Sequence, residues 1–322
     1  MQRTTLGGPW HLFVLACLLP ATPGCHRNGD EPIFELRQEE WSFQRAPGVH
    51  LTTDHFDIYT TLDNRRMQEY LPLFLESVYR QYARLLPPPD SDRRLQTYLF
   101  ANQYQWRDFV RRRFPGRHEF LTSVQVGGFA TGDMCVAYYR RPTAYTLAVI
   151  AHEGMHQYFG TYFDQRIPAW LNEGLACYCE GFDLRRDRPV FEPEHNTFRI
   201  NRLREALAND TLLPLQHLLD TNAGSVILQS QAQLTSAYYA QAWALVVFLR
   251  HGGEDSSARQ FDEMLADVAG GRLQERAQAT RITSEQPGRM SFGEAVFRTY
   301  ITEDLATFEE QYREYLLRLA DF

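Results

Sequence analysis

The sequence predicts an α+β protein, with a small mixed sheet in an N-terminal lobe and a mainly helical C-terminal lobe. Three observations carry this reading. Short alternating runs with strand composition, such as HFDIYTT (55–61) and LQTYLF (95–100), occur only in the first half. From Thr143 onward, apolar residues recur at helical spacing almost without interruption. The helix that opens this second half, TLAVIAHEGMHQYFG, holds two histidines four apart in otherwise apolar surroundings.

Composition narrows the class. The chain has 322 residues, of which 44% are hydrophobic, so it can build a sizeable core and is not a disordered chain. Its net charge is −7 and no long basic run exists. The short RRR at 111–113 lies in DFVRRRF, which reads as the solvated face of a helix, so nucleic-acid binding is disfavoured.

The elements follow in order. Residues 1–25 read as an export signal: Arg3, the apolar run WHLFVLACLLP, then ATPGC. The run is too short for a convincing membrane span. Leu19 and the small residue before Cys25 look like a bacterial lipobox, in which Cys25 is lipidated and becomes the new N-terminus; Thr22 and Pro23 depart from that pattern. The expected address is the bacterial cell envelope, as a membrane-anchored lipoprotein, with a periplasmic or secreted protein as the alternative. Residues 26–48 are polar and read as a tether. An α+β lobe is expected over 49–142 and a helical lobe over 143–322.

Within the first lobe, 64–86 has helical spacing, with Pro72 as a kink or first-turn residue and PPP at 87–89 as the stop. A second helix fits 103–114. SVQVGGFATG and DMCVAYYR read as two strands joined by a Gly-rich turn, with Gly128–Tyr139 either an edge strand or a plain hairpin. In the second lobe, Thr143 can cap a helix through Phe159 that Gly160 ends, and Pro168 can open a helix that Gly181 terminates. Further helices fit 199–208, 235–251, 257–269, 291–300 and 303–319. Cys135, Cys177 and Cys179 lie beyond the signal. They allow one bridge from Cys135 to the pair, or three core thiols.

HEGMH (152–156) is the informative motif. Residues i and i+4 share one helix face, so His152 and His156 can aim both imidazoles at one point. Zinc accepts neutral imidazole nitrogens at about 2.0–2.1 Å, and a pair one turn apart suits that geometry. Glu153 is rotated off this face by one position and suits a general base better than a ligand. The alternative is a buried helix with two satisfied histidines, but three unpaired buried polar groups would cost roughly 1–3 kcal/mol each. A third donor is needed. In PAWLNEGLACYCEG, Glu173 has the apolar neighbours Trp170, Leu171, Leu175 and Ala176, which argue against exposure. Glu180 is the rival carboxylate; its place at a helix end beside Gly181 predicts exposure.

HEGMH followed by WLNEGLACY resembles the gluzincin metallopeptidases of the MA clan, the thermolysin-like and aminopeptidase-like group. The closest resemblance is to bacterial DUF1570-type proteins, often lipoproteins, and it covers roughly 120–250. It implies a gluzincin-like fold, Zn2+ held by His152, His156 and Glu173, Glu153 as the catalytic base, and a peptide or protein substrate. A segment similar to the aminopeptidase-like helix, SAYYAQAWALVVFLR (236–250), puts Tyr239 in the role of oxyanion donor, with Tyr238 turned about 100° away. His195 and His217 are the next candidates for that role. The chain departs from the family in two places. Cys177 stands where thermolysin-like enzymes carry an aspartate behind the first histidine, so a carbonyl or Asn172 must replace it. The Gly-x-Met-Glu-Asn signature of the aminopeptidases is also missing. The expectation is therefore a zinc endopeptidase. The alternatives are a non-enzymatic envelope lipoprotein on the same scaffold and an aminopeptidase. The oligomeric state is left open by the sequence.

Overall fold

In the computed structural model, which describes residues 34–123, 127–185, 188–221, 232–253, 255–283 and 290–321, the N-terminal strands join in one mixed sheet. Strands β1 (Arg37–Phe43), β2 (Ala46–Thr52) and β3 (Phe56–Thr60) form an antiparallel meander. Strand β4 (Leu95–Phe100) runs parallel to β3, and β6 (Met134–Tyr138) runs parallel to β4. Strand β5 (Gly128–Thr131) lies antiparallel to β6 and is the last strand on that side, giving the order β1-β2-β3-β4-β6-β5. Parallel neighbours need long connections. They are supplied by helix α1 (Arg65–Leu85), and by α2 (Gln103–Arg113) with α3 (His118–Ser123).

Alternation along the strands divides the core. Phe56, Ile58, Leu95, Leu99 and Ala137 face one cluster, shared with α1 and with α4 (Thr143–Tyr162). Phe100, Met134 and Val136 face the other, closed by Trp106 and Val110 of α2. Helix α4 therefore lies on the sheet itself, and the two expected lobes share a core. The helical half continues with α5 (Ala169–Cys179), a small hairpin β7 (Phe182–Leu184) and β8 (Pro189–Phe191), α6 (Thr197–Ala208) and α7 (Leu215–Asp220). Helix α8 (Ala232–Val247) runs on into a π-helical turn, Phe248–Gly252. Helices α9 (Asp255–Ala269), α10 (Leu273–Thr283), α11 (Phe292–Tyr300) and α12 (Leu305–Ala320) complete the chain.

Several expectations need correction. Residues 37–48 are β1 and the start of β2, not tether. The strand was hidden because β1 is a sheet edge whose Arg37, Glu39 and Glu40 are exposed. Gly160 does not end α4. The helix continues to Tyr162, with Thr161 bonded back to the Gln157 carbonyl and the Phe163 amide to Phe159. Pro168 is the cap before α5, not its first residue, and Pro72 lies well inside α1. Helices α3, α7 and α10 and the β7–β8 hairpin are short or weakly patterned elements beyond those the sequence predicts. The cysteines are resolved: Cys135, Cys177 and Cys179 are buried free thiols. The expected signal and lipobox, 1–25, lie outside the described residues. Among the described residues, no helix is long and apolar enough to cross a membrane.

One buried carboxylate ties the sheet to α1. Glu76 is 3% exposed; its Oε1 accepts the His55 amide at 3.0 Å and its Oε2 lies 2.7 Å from His55 Nδ1. Burial pushes the Glu76 carboxyl up, but hydrogen bonds from His55 and Thr53 outweigh it and hold it below its ordinary value of 4.5. A lowered folded-state value stabilises the fold above the unfolded pKa, and that stability is lost as pH falls through the folded value. Glu76→Gln is therefore expected to lower stability at pH 7 by about 1–3 kcal/mol. Urea unfolding should show its deficit against wild type shrinking as the pH is lowered below 4.5.

Candidate metal centre

Helix α4 is apolar nearly all round because it is packed between the sheet and the other helices. The residues that bear on the site fall on two rows. Val149 and Gln157 face the β5–β6 hairpin: a Cβ on Gly128 would lie 3.0 Å from Val149 Cγ1, and Gln157 Nε2 donates to the Asp133 carbonyl at 2.5 Å and to the Gln96 carbonyl at 2.9 Å. Glu153 stands between them on the same i, i+4 row, partly exposed. The neighbouring row carries His152 and His156 toward α5.

There the donors converge. The Nε2 atoms of His152 and His156 are 3.2 Å apart. Glu173 Oε2, from α5, lies 3.3 Å from the first and 3.4 Å from the second. A tetrahedral ion at about 2.0–2.1 Å from its ligands spaces them about 3.3–3.4 Å apart. The three donor atoms therefore match the triangular face of such a site. Glu173 is 8% exposed, and its Oε2 is buried without a hydrogen-bond partner among the described residues. Burial pushes its carboxyl up, but His156 and His152 outweigh that and hold it far below the usual carboxylate range. The residues fit a small divalent cation of zinc type.

The imidazoles are held from behind. His156 Nδ1 lies 3.2 Å from Asn172 Oδ1. His152 Nδ1 lies 2.7 Å from Glu180 Oε1. The expectation of an exposed Glu180 is thus overturned: its side chain is 7% exposed and sits behind the first histidine. Asn172, weighed for that place, serves the second histidine instead. Burial pushes Glu180 up, but Arg199 and His152 more than reverse this, to about 2. The sequence hid this role because the carboxylate is buried by α6, a long-range contact that the helix-end position does not reveal. Such partners fix the tautomer and the ring orientation of a ligating histidine.

Two donor clusters share His152: His152, His156 and Glu173 around its Nε2, and His152, Cys177 and Glu180 around its Nδ1. Charge separates them. Glu180 is already bound through both oxygens to the Arg199 guanidinium, and a metal ion there would sit against that cation. Burial also pushes the Cys177 thiol up, away from the thiolate a metal needs. The Nε2 side is the better cation site.

Tyr239, on α8, brings its ring centroid to 6.0 Å from that of His152. Burial first, and Glu173 next, push its hydroxyl far above the usual tyrosine range, so it stays protonated. Tyr238 is fully buried and turned elsewhere, with its hydroxyl 3.5 Å from the Thr221 carbonyl. His195 is exposed beside Glu192, and His217 is exposed on α7.

Residues 146–267 match the model of a family described as "Protein of unknown function (DUF1570)". The matched segment contains His152, Glu153, His156, Glu173, Glu180, Arg199 and Tyr239. No curated protein matches the chain.

The register between α5 and α8 depends on Gly174, next to Glu173. A Cβ there would lie 2.6 Å from the Ala242 carbonyl oxygen and 2.6 Å from Val246 Cγ2. The backbone must move to admit it, which costs typically about 1–3 kcal/mol. Gly174→Ala is expected to lose that much in denaturant unfolding. Gly116→Ala, where a Cβ meets nothing within 4 Å, should stay within about 0.5 kcal/mol of wild type.

Proposed function

We propose that this protein is a zinc-dependent metallopeptidase of gluzincin type, acting as an endopeptidase in the bacterial cell envelope. The observation that carries the proposal is the triangle of His152 Nε2, His156 Nε2 and Glu173 Oε2, with sides of 3.2–3.4 Å. Glu153 beside it adds a group that a purely structural metal site does not need.

A bound zinc ion would supply Lewis acidity, polarising a carbonyl and easing deprotonation of water near neutral pH. His152, His156 and Glu173 would hold the ion, and Asn172 and Glu180 fix the two rings. Glu153 accepts a proton from the attacking water and returns it to the leaving amine. Tyr239, kept protonated by burial, donates its hydroxyl to the developing oxyanion. Strand β5 offers an extended edge beside α4 on which a substrate backbone adds as a further strand. Its residues, Gly128–Thr131, include no carboxylate to grip a free amino terminus, which favours internal cleavage over end-trimming.

About one zinc per chain is expected by elemental analysis, with most of it lost in His156→Ala. Glu153→Gln should retain zinc and fold while peptide cleavage falls by several orders of magnitude. Tyr239→Phe should keep zinc and lose roughly 10²–10³ in kcat. Wild-type protein without a transition metal, or Glu153→Gln with undiminished cleavage, would sink this mechanism.

The proposed address rests on the segment ending in Cys25. Cys25→Ser is expected to move the protein from the membrane to the soluble fraction, because acyl chains on that residue would be its anchor. Unchanged fractionation would remove lipidation of Cys25 from the proposal.

A further inference from the structure

One side chain touches both Glu180, the partner of His152, and the ring of Tyr239. Arg199 enters from α6, and its side chain is 10% exposed. Its Nε lies 2.7 Å from Glu180 Oε2 and its Nη2 lies 2.5 Å from Glu180 Oε1, a two-point fork. The same Oε1 is the atom 2.7 Å from His152 Nδ1. Asn196, the cap of α6, places its Nδ2 3.4 Å from Glu180 Oε2 and so steadies the carboxylate from the same helix. The flat guanidinium also packs on rings. Its Cζ is 5.4 Å from the centroid of Tyr239 and 5.2 Å from that of Phe198.

A buried guanidinium is retained only where its charge and its donors are met. Glu180 meets the charge. The two rings fix the plane, and the plane decides which Glu180 oxygen faces His152. A lysine could supply the charge but neither the fork nor the flat face.

We infer that Arg199 is a positioning residue that locks His152 and Tyr239 into one register, so that metal affinity depends on the ring of Tyr239, which is not a ligand. This rests on the metal-centre reading above. Loss of the Tyr239 ring frees one face of the guanidinium, the fork on Glu180 loosens, and the His152 imidazole loses its fixed orientation. The Tyr239 hydroxyl plays no part in this chain of contacts. Its ring does.

The test is Zn2+ binding to the metal-stripped full chain, in competition with a chelating indicator, with thermal unfolding of each variant followed alongside. Arg199→Lys is expected to bind Zn2+ about 10–100-fold more weakly, the usual effect of losing an outer partner of a ligating histidine. Tyr239→Leu should weaken binding roughly threefold or more through loss of a buried cation–π contact. Tyr239→Phe, which keeps the ring, should bind as wild type. If Arg199→Lys does not fold, the two Tyr239 variants decide alone. Wild-type affinity in Tyr239→Leu overturns the inference, and so does an equal loss in Tyr239→Leu and Tyr239→Phe, which would assign the effect to the hydroxyl. A wild-type chain that binds no Zn2+ overturns the metal centre itself, and the inference with it.

Discussion

The helical half of this protein is organised by the need to partner a line of polar groups inside an apolar core. Asn172, His156, Glu173, His152, Glu180 and Arg199 form an unbroken series of contacts through layers made mostly of Leu, Ala, Val and aromatic side chains. Each member would be costly alone. Together they come into contact only if α4, α5 and α6 meet at one relative position. Apolar packing tolerates small slides between helices. A line of directional contacts does not, and it sets where α5 sits on α4 and how far α6 folds back.

The sheet supplies the other half of that placement. Gln157, buried on the neighbouring row of α4, donates to the carbonyls of Gln96 and Asp133, where β4 begins and the β5–β6 turn ends. Tyr82 of α1 donates to the Ala151 carbonyl at 2.7 Å, and its hydroxyl end fills the space left by the missing side chain of Gly154. The helix that carries both histidines is thus fixed from the sheet, from α1 and from α5. Its rotation about its own axis has no freedom left, and this separates the row of Glu153 from the row of His152 and His156.

Much of this was legible in the sequence, and the limits are instructive. The four-residue spacing of the histidines and their apolar flank are local, so α4 and its face could be read directly. Glu173 could be singled out because its neighbours in α5 are nearly all apolar. Glu180 could not, since its burial is imposed by Arg199 and Asn196 from α6, and nothing adjacent to it announces that contact. Strand β1 was hidden for the opposite reason. An edge strand exposed to water carries charges, and its composition then looks like a loop. Gly160 looks like a terminator because glycine commonly ends helices. Here the segment after it stays helical to Tyr162, and Tyr162 is anchored to the Arg93 carbonyl.

The two edges of the sheet are defended differently. Strand β1 shows a row of exposed charges, which discourages any second chain from pairing along it. Strand β5 is built from glycine, phenylalanine, alanine and threonine, and among the described residues no strand lies beyond it. An uncharged edge of this kind offers no electrostatic barrier to another strand, because backbone amides and carbonyls are alike in every chain. Its four residues limit the damage. So short a ladder gives a passing strand little grip by itself, and aggregation through it is weakly favoured. The brevity of β5 therefore does for this edge what the charges of β1 do for the other, by limiting the length over which a second backbone can pair.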